Sequence, residues 1–130
     1  MIKKFNDLLK MTNEHTQPQR LIFLFAHAEA KNSKKSKQHQ QGTISPIMCV
    51  DKLPEELNDF AALMKEADAI DTHWNFIFIA SVSGENGETP TTEHAGPYLN
   101  KMAHDIETGN DVGRYIIFDR DENLIELASH

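Results

Sequence analysis

Imidazole and thiol groups carry most metal, acid–base and nucleophilic chemistry near neutral pH, and the chain has seven histidines and a single cysteine. The histidines stand at 15, 27, 39, 73, 94, 104 and 130. None forms an HxH or HExxH pattern, and no two lie three or four residues apart, the spacing that would put two ligands on one helix face. The expectation is no metal site, no cofactor and no assigned catalytic residue, since no Ser-His-Asp order stands out either. His27 is the histidine to watch. Glu29 follows it at the two-residue spacing that shares one face of a strand, but a structural histidine is the better reading, since a pair without a third ligand seldom binds metal tightly. Cys49 lies in an apolar stretch and reads as a small hydrophobe rather than a reactive thiolate. One cysteine excludes an intramolecular disulfide, a CxxC redox pair and a Cys₄ zinc site.

The segment Ser83-Gly84-Glu85-Asn86-Gly87 carries two glycines ahead of a predicted helix, so its backbone amides could hold an anion. It has neither the Walker lysine nor the GxGxxG spacing. Glu85 and Glu88 would repel phosphate, and a plain connecting turn is the other reading. The run Asp119-Arg120-Asp121-Glu122 has cation-binding residue types without the EF-hand order and suits a turn.

The elements that would position these groups follow from hydrophobic spacing. Ile2, Phe5, Leu8 and Leu9 share one helical face, which predicts an amphipathic helix over 2–13. Residues 20–27 are apolar on both faces, the pattern of a strand covered on both sides. Residues 31–43 hold four lysines, several glutamines, no acid and no apolar anchor, and are expected to form a mobile loop on a single 1–130 domain. A strand over 44–51 follows, then a helix over 54–70 opened by Pro54, with Leu53 a poor cap before it. A third strand is expected over 74–82 and a helix over 91–108, kinked at Gly96-Pro97 or starting at Pro97. A short strand over 115–118, a turn and a last strand near 124–127 make a C-terminal hairpin.

Strand-helix-strand units favour parallel neighbours. The expected fold class is therefore α/β: a mixed, mainly parallel sheet flanked by helices, with an antiparallel hairpin at the end. In such sheets ligands gather beyond the carboxyl ends of the parallel strands. That places the candidate ligand-binding residues at Asp51, Lys52, Ser83, Gly84, Asn86 and Gly87, with His27 joining them if the first strand points the same way.

The 130 residues suit one core. The formal charge of −7 argues against nucleic acid as a partner, which needs a phosphate-neutralising face. Outside 31–43 the balance is nine basic against twenty acidic residues, so the loop is a basic patch on an acidic body. The longest apolar run is too short for a membrane span. The start Met1-Ile2-Lys3-Lys4 lacks the apolar stretch of an export signal, and cytoplasmic location is the expectation.

Several segments together carry a resemblance: Pro46-Ile47-Met48-Cys49-Val50-Asp51-Lys52-Leu53-Pro54-Glu55-Glu56-Leu57, Trp74 with its apolar strand, Ser83-Gly84-Glu85-Asn86-Gly87 with Pro90, and Phe118-Asp119-Arg120. Over 20–127, apart from 31–43, the chain resembles a family of small proteobacterial proteins often labelled "ribonucleotide reductase subunit alpha". Taken literally, that label implies a barrel of several hundred residues, a thiyl-radical cysteine and a redox-active cysteine pair. A chain with one cysteine and one small core cannot supply two electrons by dithiol oxidation, so a catalytic reductase subunit is excluded. Three functional readings stay open. They are a non-catalytic binding or regulatory module, an enzyme or sensor acting on a small anionic metabolite through Asp51, Lys52 and His27, and a protein that self-associates or docks a partner through its first helix.

Overall fold

A computed structural model describes residues 3–14, 17–31, 41–84, 86–109 and 114–125. Its elements are α1 (Phe5–Asn13), β1 (Gln19–Lys31), β2 (Gln41–Lys52), a 3₁₀ turn (Pro54–Glu56), α2 (Phe60–Asp68), β3 (Phe76–Ser83), α3 (Thr92–Thr108), β4 (Ile116–Asp119) and β5 (Leu124–Ile125). The five strands form one sheet in the order β2-β1-β3-β4-β5.

All four ladders are antiparallel. This corrects the expectation of a mainly parallel α/β sheet: the fold is α+β. Its cause lies in β1. Strands β1 and β2 pair as one long hairpin, and β3 then adds to the free side of β1. Strands β2 and β3 therefore do run the same way, but β1 lies between them. The strand-helix-strand rule gives parallel pairing only where the two strands are neighbours. The apolar character of β1 on both faces reports that helices cover both faces; it carries no information about strand direction.

Alternate residues of the sheet build two cores. On one face Leu21, Phe23, Phe25, Ile77, Ile79 and Phe118 meet Phe5 and Leu8 of α1, Phe60 and Leu63 of α2, and Trp74. The aromatic rings pack at offset or edge angles, with Phe25 and Trp74 centroids 5.0 Å apart and near perpendicular. On the other face Ile22, Leu24, Phe78 and Ile117 meet Ala95, Met102 and Ile106 of α3. Phe5 and Leu8 of the α1 stripe are thus buried within their own chain, with Leu9 packed against the same core.

Capping sets the helix boundaries. Pro54 opens only the 3₁₀ turn. Helix α2 starts behind Asp59, whose carboxylate accepts from the Ala62 amide at 2.8 Å, the geometry of an N-cap. The single helix expected over 54–70 is divided at that point. Thr91 caps α3 through the His94 amide, and Pro97 is accommodated inside the helix. Gly109 ends it in the left-handed region at φ 76°, where glycine carries no steric penalty. Helix α1 is tied down by Glu122, which accepts from the Phe5 amide at 2.8 Å. That carboxylate sits close to the positive end of the helix dipole.

One irregularity in β2 decides which side chains reach which core. Phe25 faces Met48 but Ala26 faces Pro46, so Ile47 is an extra residue, a bulge. Met48 and Val50 consequently pack on the α1–α2 side and Ile44 on the α3 side. Pro46 is tolerated there because β2 is an edge strand, where a missing donor costs little. The ladder between β1 and β2 includes Lys31 and 41–43, all expected as loop; 32–40 lie outside the described residues.

Candidate functional site

The carboxyl ends of β2 and β3 do meet at one end of the sheet, on either side of the start of β1. What fills the space between them is Arg20, which the sequence marked only as the first residue of a strand. Its guanidinium lies 2.6 Å from the Asp51 carboxylate, and its Nε donates to the Pro90 carbonyl at 2.7 Å. The Thr92 hydroxyl donates to the same Asp51 oxygen at 2.9 Å. This group latches the start of α3 onto the sheet. Lys52 points to the opposite face, where its ammonium pairs with Glu66 of α2 at 2.9 Å. Ser83 exchanges hydrogen bonds with the buried Gln19 side chain at 2.8 and 3.1 Å.

The glycine loop is explained by its own turn. A side chain at Gly84 would begin 1.8 Å from the Glu88 carbonyl, so close backbone approach demands glycine there. Its amide donates to the Pro18 carbonyl. Asn86 and Gly87 take left-handed φ of 53° and 78°, and the Gly87 amide donates to Gln17 at 2.9 Å. His27 stands at the other end of the sheet, since β1 runs opposite to β2 and β3. Its Nδ1 lies 2.9 Å from the His73 carbonyl oxygen. Cys49, expected inside, is exposed on edge strand β2, and such burial as it has pushes its thiol upward, away from thiolate. The structure therefore brings Asp51 and Ser83 to one sheet end, turns Lys52 to another face, and separates His27 from both. Among the described residues no three His, Cys, Asp or Glu side chains converge on a metal position.

The densest polar cluster is elsewhere. Arg120, just past β4, makes a bidentate pair with Asp68 at the end of α2, at 3.0 and 3.1 Å. Its Cζ lies 3.8 Å over the Trp74 ring, and its remaining N–H groups donate to the Trp74 and Thr72 carbonyls. The Trp74 indole N–H donates to Asp68 at 3.0 Å. The guanidinium, and secondarily the indole, hold the Asp68 carboxyl below its usual range. Asp119 accepts from the amides of Asp121 and Asn123, so the acidic run forms the β4–β5 turn.

A cleft of about 360 Å³ opens beside the start of β4. Leu8 and Met11 of α1 form one wall, Tyr98 and Lys101 of α3 another, Ala80 and Ser81 of β3 lie along it, and Arg114 and Tyr115 stand at its edge. Its size is that of a small-ligand site. Two of the four large apolar side chains most exposed among the described residues, Met11 and Tyr98, line it. Asp105, one helical turn on, orients Lys101 at 2.8 Å, a spacing that places the two side chains on one helix face. The Tyr115 hydroxyl donates to the same carboxylate oxygen at 2.7 Å. Lys101 first, then Tyr115, hold the Asp105 carboxyl below its usual range, so it is ionised at neutral pH. Arg114 lies 5.7 Å from the centre of the Tyr115 ring and is exposed. The site is not legible in the sequence because α1, β1, β3, α3 and the segment leading into β4 each contribute only one to three residues. The one local signal was the Lys101–Asp105 spacing.

No family model, curated protein or solved structure matches the chain, so its chemistry is read from its own residues.

Proposed function

We propose that the chain is a binding module that holds an organic anion in the cleft between α1, β3 and α3. One observation carries this reading. The described residues lining the cleft include Lys101 and Arg114 and not one acid, in a chain with twenty acidic residues and a net charge of −7. A basic concavity on an acidic body attracts anions and turns away the cations that the rest of the surface gathers. Met11, Tyr98 and Leu8 line the cleft and favour a ligand with an apolar part beside its charge. Asp105 keeps Lys101 pointed along α3. Arg114 helps by its charge to keep Asp105 ionised but makes no salt bridge among the described residues, which leaves its exposed guanidinium as the cation to meet a carboxylate or phosphate. The reading keeps the binding-module expectation and moves its site from the Asp51–Ser83 end to the β4 side of β3.

A thermal-shift series with aliphatic and aromatic carboxylates and with phosphate esters tests it. A true ligand at a hundred times its Kd stabilises the native state by about 2.7 kcal/mol, a rise on the order of 10 °C. Arg114→Ala should remove most of that rise, and added salt should shrink it. An equal rise in the variant would place the ligand elsewhere and end the proposal.

A further inference from the structure

Met11 of α1 and Tyr98 of α3 line two different walls of the cleft, and each is 49% exposed. Both are surfaces that suit a flat aromatic group. Aromatic rings attract one another in offset or edge-on pairs, and the thioether of methionine makes favourable contacts with ring edges. Tyr98 is also braced. His94, one turn earlier on α3, packs on it with ring centroids 5.8 Å apart and planes tilted by 46°, at the spacing of neighbours on one helix face. The tyrosine ring is thus held before any ligand arrives, which lowers the ordering cost of binding.

We propose that the cleft takes an aromatic monocarboxylate, its ring set between Met11 and Tyr98 and its carboxylate on Arg114. The inference rests on the anion-binding reading above and names its ligand class. The walls select the ring, and Asp105 selects the charge. The Asp105 carboxylate is 2.8 Å from the Lys101 ammonium, and the charge of Arg114 acts on it as well. Lys101 and Arg114 against this one fixed anion leave a single positive charge. A monoanion balances that charge. A dianionic phosphate ester exceeds it and brings like charges together beside Asp105, which costs energy. The guanidinium fork accepts a carboxylate or a phosphate face alike, so charge rather than shape decides between them. The cleft, about 360 Å³ in volume, has room for one ring with a short acid side chain.

The test is a titration of the full chain at neutral pH, followed by the methyl resonances of isotope-labelled methionine, with Met11→Leu assigning the Met11 signal. Four probes are used: phenylacetate, its saturated analogue cyclohexylacetate, benzyl phosphate and the uncharged phenylacetamide. Phenylacetate should bind about three- to tenfold tighter than the cyclohexyl acid. It should bind at least as tightly as benzyl phosphate, and about tenfold tighter than the amide. Its ring current should shift the Met11 methyl in the unsubstituted protein, an effect the cyclohexyl acid lacks. Tyr98→Leu should remove the preference for the aromatic acid while leaving acid binding in place, and Arg114→Ala should weaken both acids by about tenfold. If the cyclohexyl acid binds as tightly as phenylacetate, or phenylacetate leaves Met11 unmoved while still depending on Arg114, the aromatic class is overturned and the anion reading survives. Tighter binding of benzyl phosphate overturns the monocarboxylate and again spares the anion reading. If the amide matches the acid, if binding is indifferent to Arg114→Ala, or if neither these anions nor any of the thermal series binds, both are overturned.

Discussion

Arg114 and Arg120 lie on either side of β4, six residues apart, and their surroundings differ in kind. Arg120 has a bidentate carboxylate, two backbone carbonyls and an indole face, and its donors are engaged. Arg114 is exposed, at the edge of a concavity without acids among its described lining. The same side chain acts as mortar in one place and is left available in the other. Saturated polar clusters report architecture, even when, as with Asp68–Trp74–Arg120, they hold the residue types of a catalytic site. A basic group left without a salt bridge in an acidic protein is the better guide to a ligand.

Breaking the Arg120 side of this contrast should have the largest effect. Trp74→Ala removes a fully buried ring from the first core and the platform under Arg120, and should cost about 3–5 kcal/mol. Urea denaturation at neutral pH measures it; a loss below about 1 kcal/mol, the size of an ordinary point substitution, would mean the cluster is not a fastener.

Asp68→Asn should cost less, about 1 kcal/mol at pH 7, because charge-assisted hydrogen bonds become neutral ones. The figure is held low because Asp68 and Arg120 are each about a third exposed, and solvent screens such a pair. The folded-state pKa of Asp68 is depressed. Its contribution is therefore full above the unfolded value of about 4 and is lost as pH falls through the lower folded value. The gap between wild type and variant should narrow below about pH 4. A gap that stays constant down to about pH 2 would show that the carboxylate charge plays no part.

Arg114→Ala should change stability by less than about 0.5 kcal/mol while removing most of the ligand-induced thermal shift. A marked destabilisation would place Arg114 with Arg120 as a structural group and erase the distinction between them.

Much of the secondary structure was legible from residue spacing. The apolar run of β1 and the spacing of Phe5, Leu8 and Leu9 in α1 are local signals, and local signals survive without knowledge of the fold. Strand direction was not legible. Strand β1 pairs with β2 and β3 at once, and nothing in 20–27 tells a strand in the middle of a parallel sheet from one in an antiparallel sheet whose faces are both covered. The site failed for a related reason. Asp51 and Lys52 are adjacent in sequence but face opposite layers, and Arg20, far earlier in the chain, is the partner that engages Asp51. The cleft needs α1 and α3 to approach the edge of β3 from opposite faces, and no window of sequence contains that.

Asn75 has a last consequence. Its side-chain amide pairs with both backbone groups of Ala28, at 2.8 and 2.9 Å, in the position where another residue of β3 would have stood. The third strand ends there, while the first two continue to Lys31 and Gln41 as a two-stranded arm beyond the body of the sheet. One leg of that arm is the same strand that carries Phe23 and Leu24 between the two cores. A tug on the arm is accordingly felt by both hydrophobic layers, with no hinge of loose chain between the handle and the heart of the molecule.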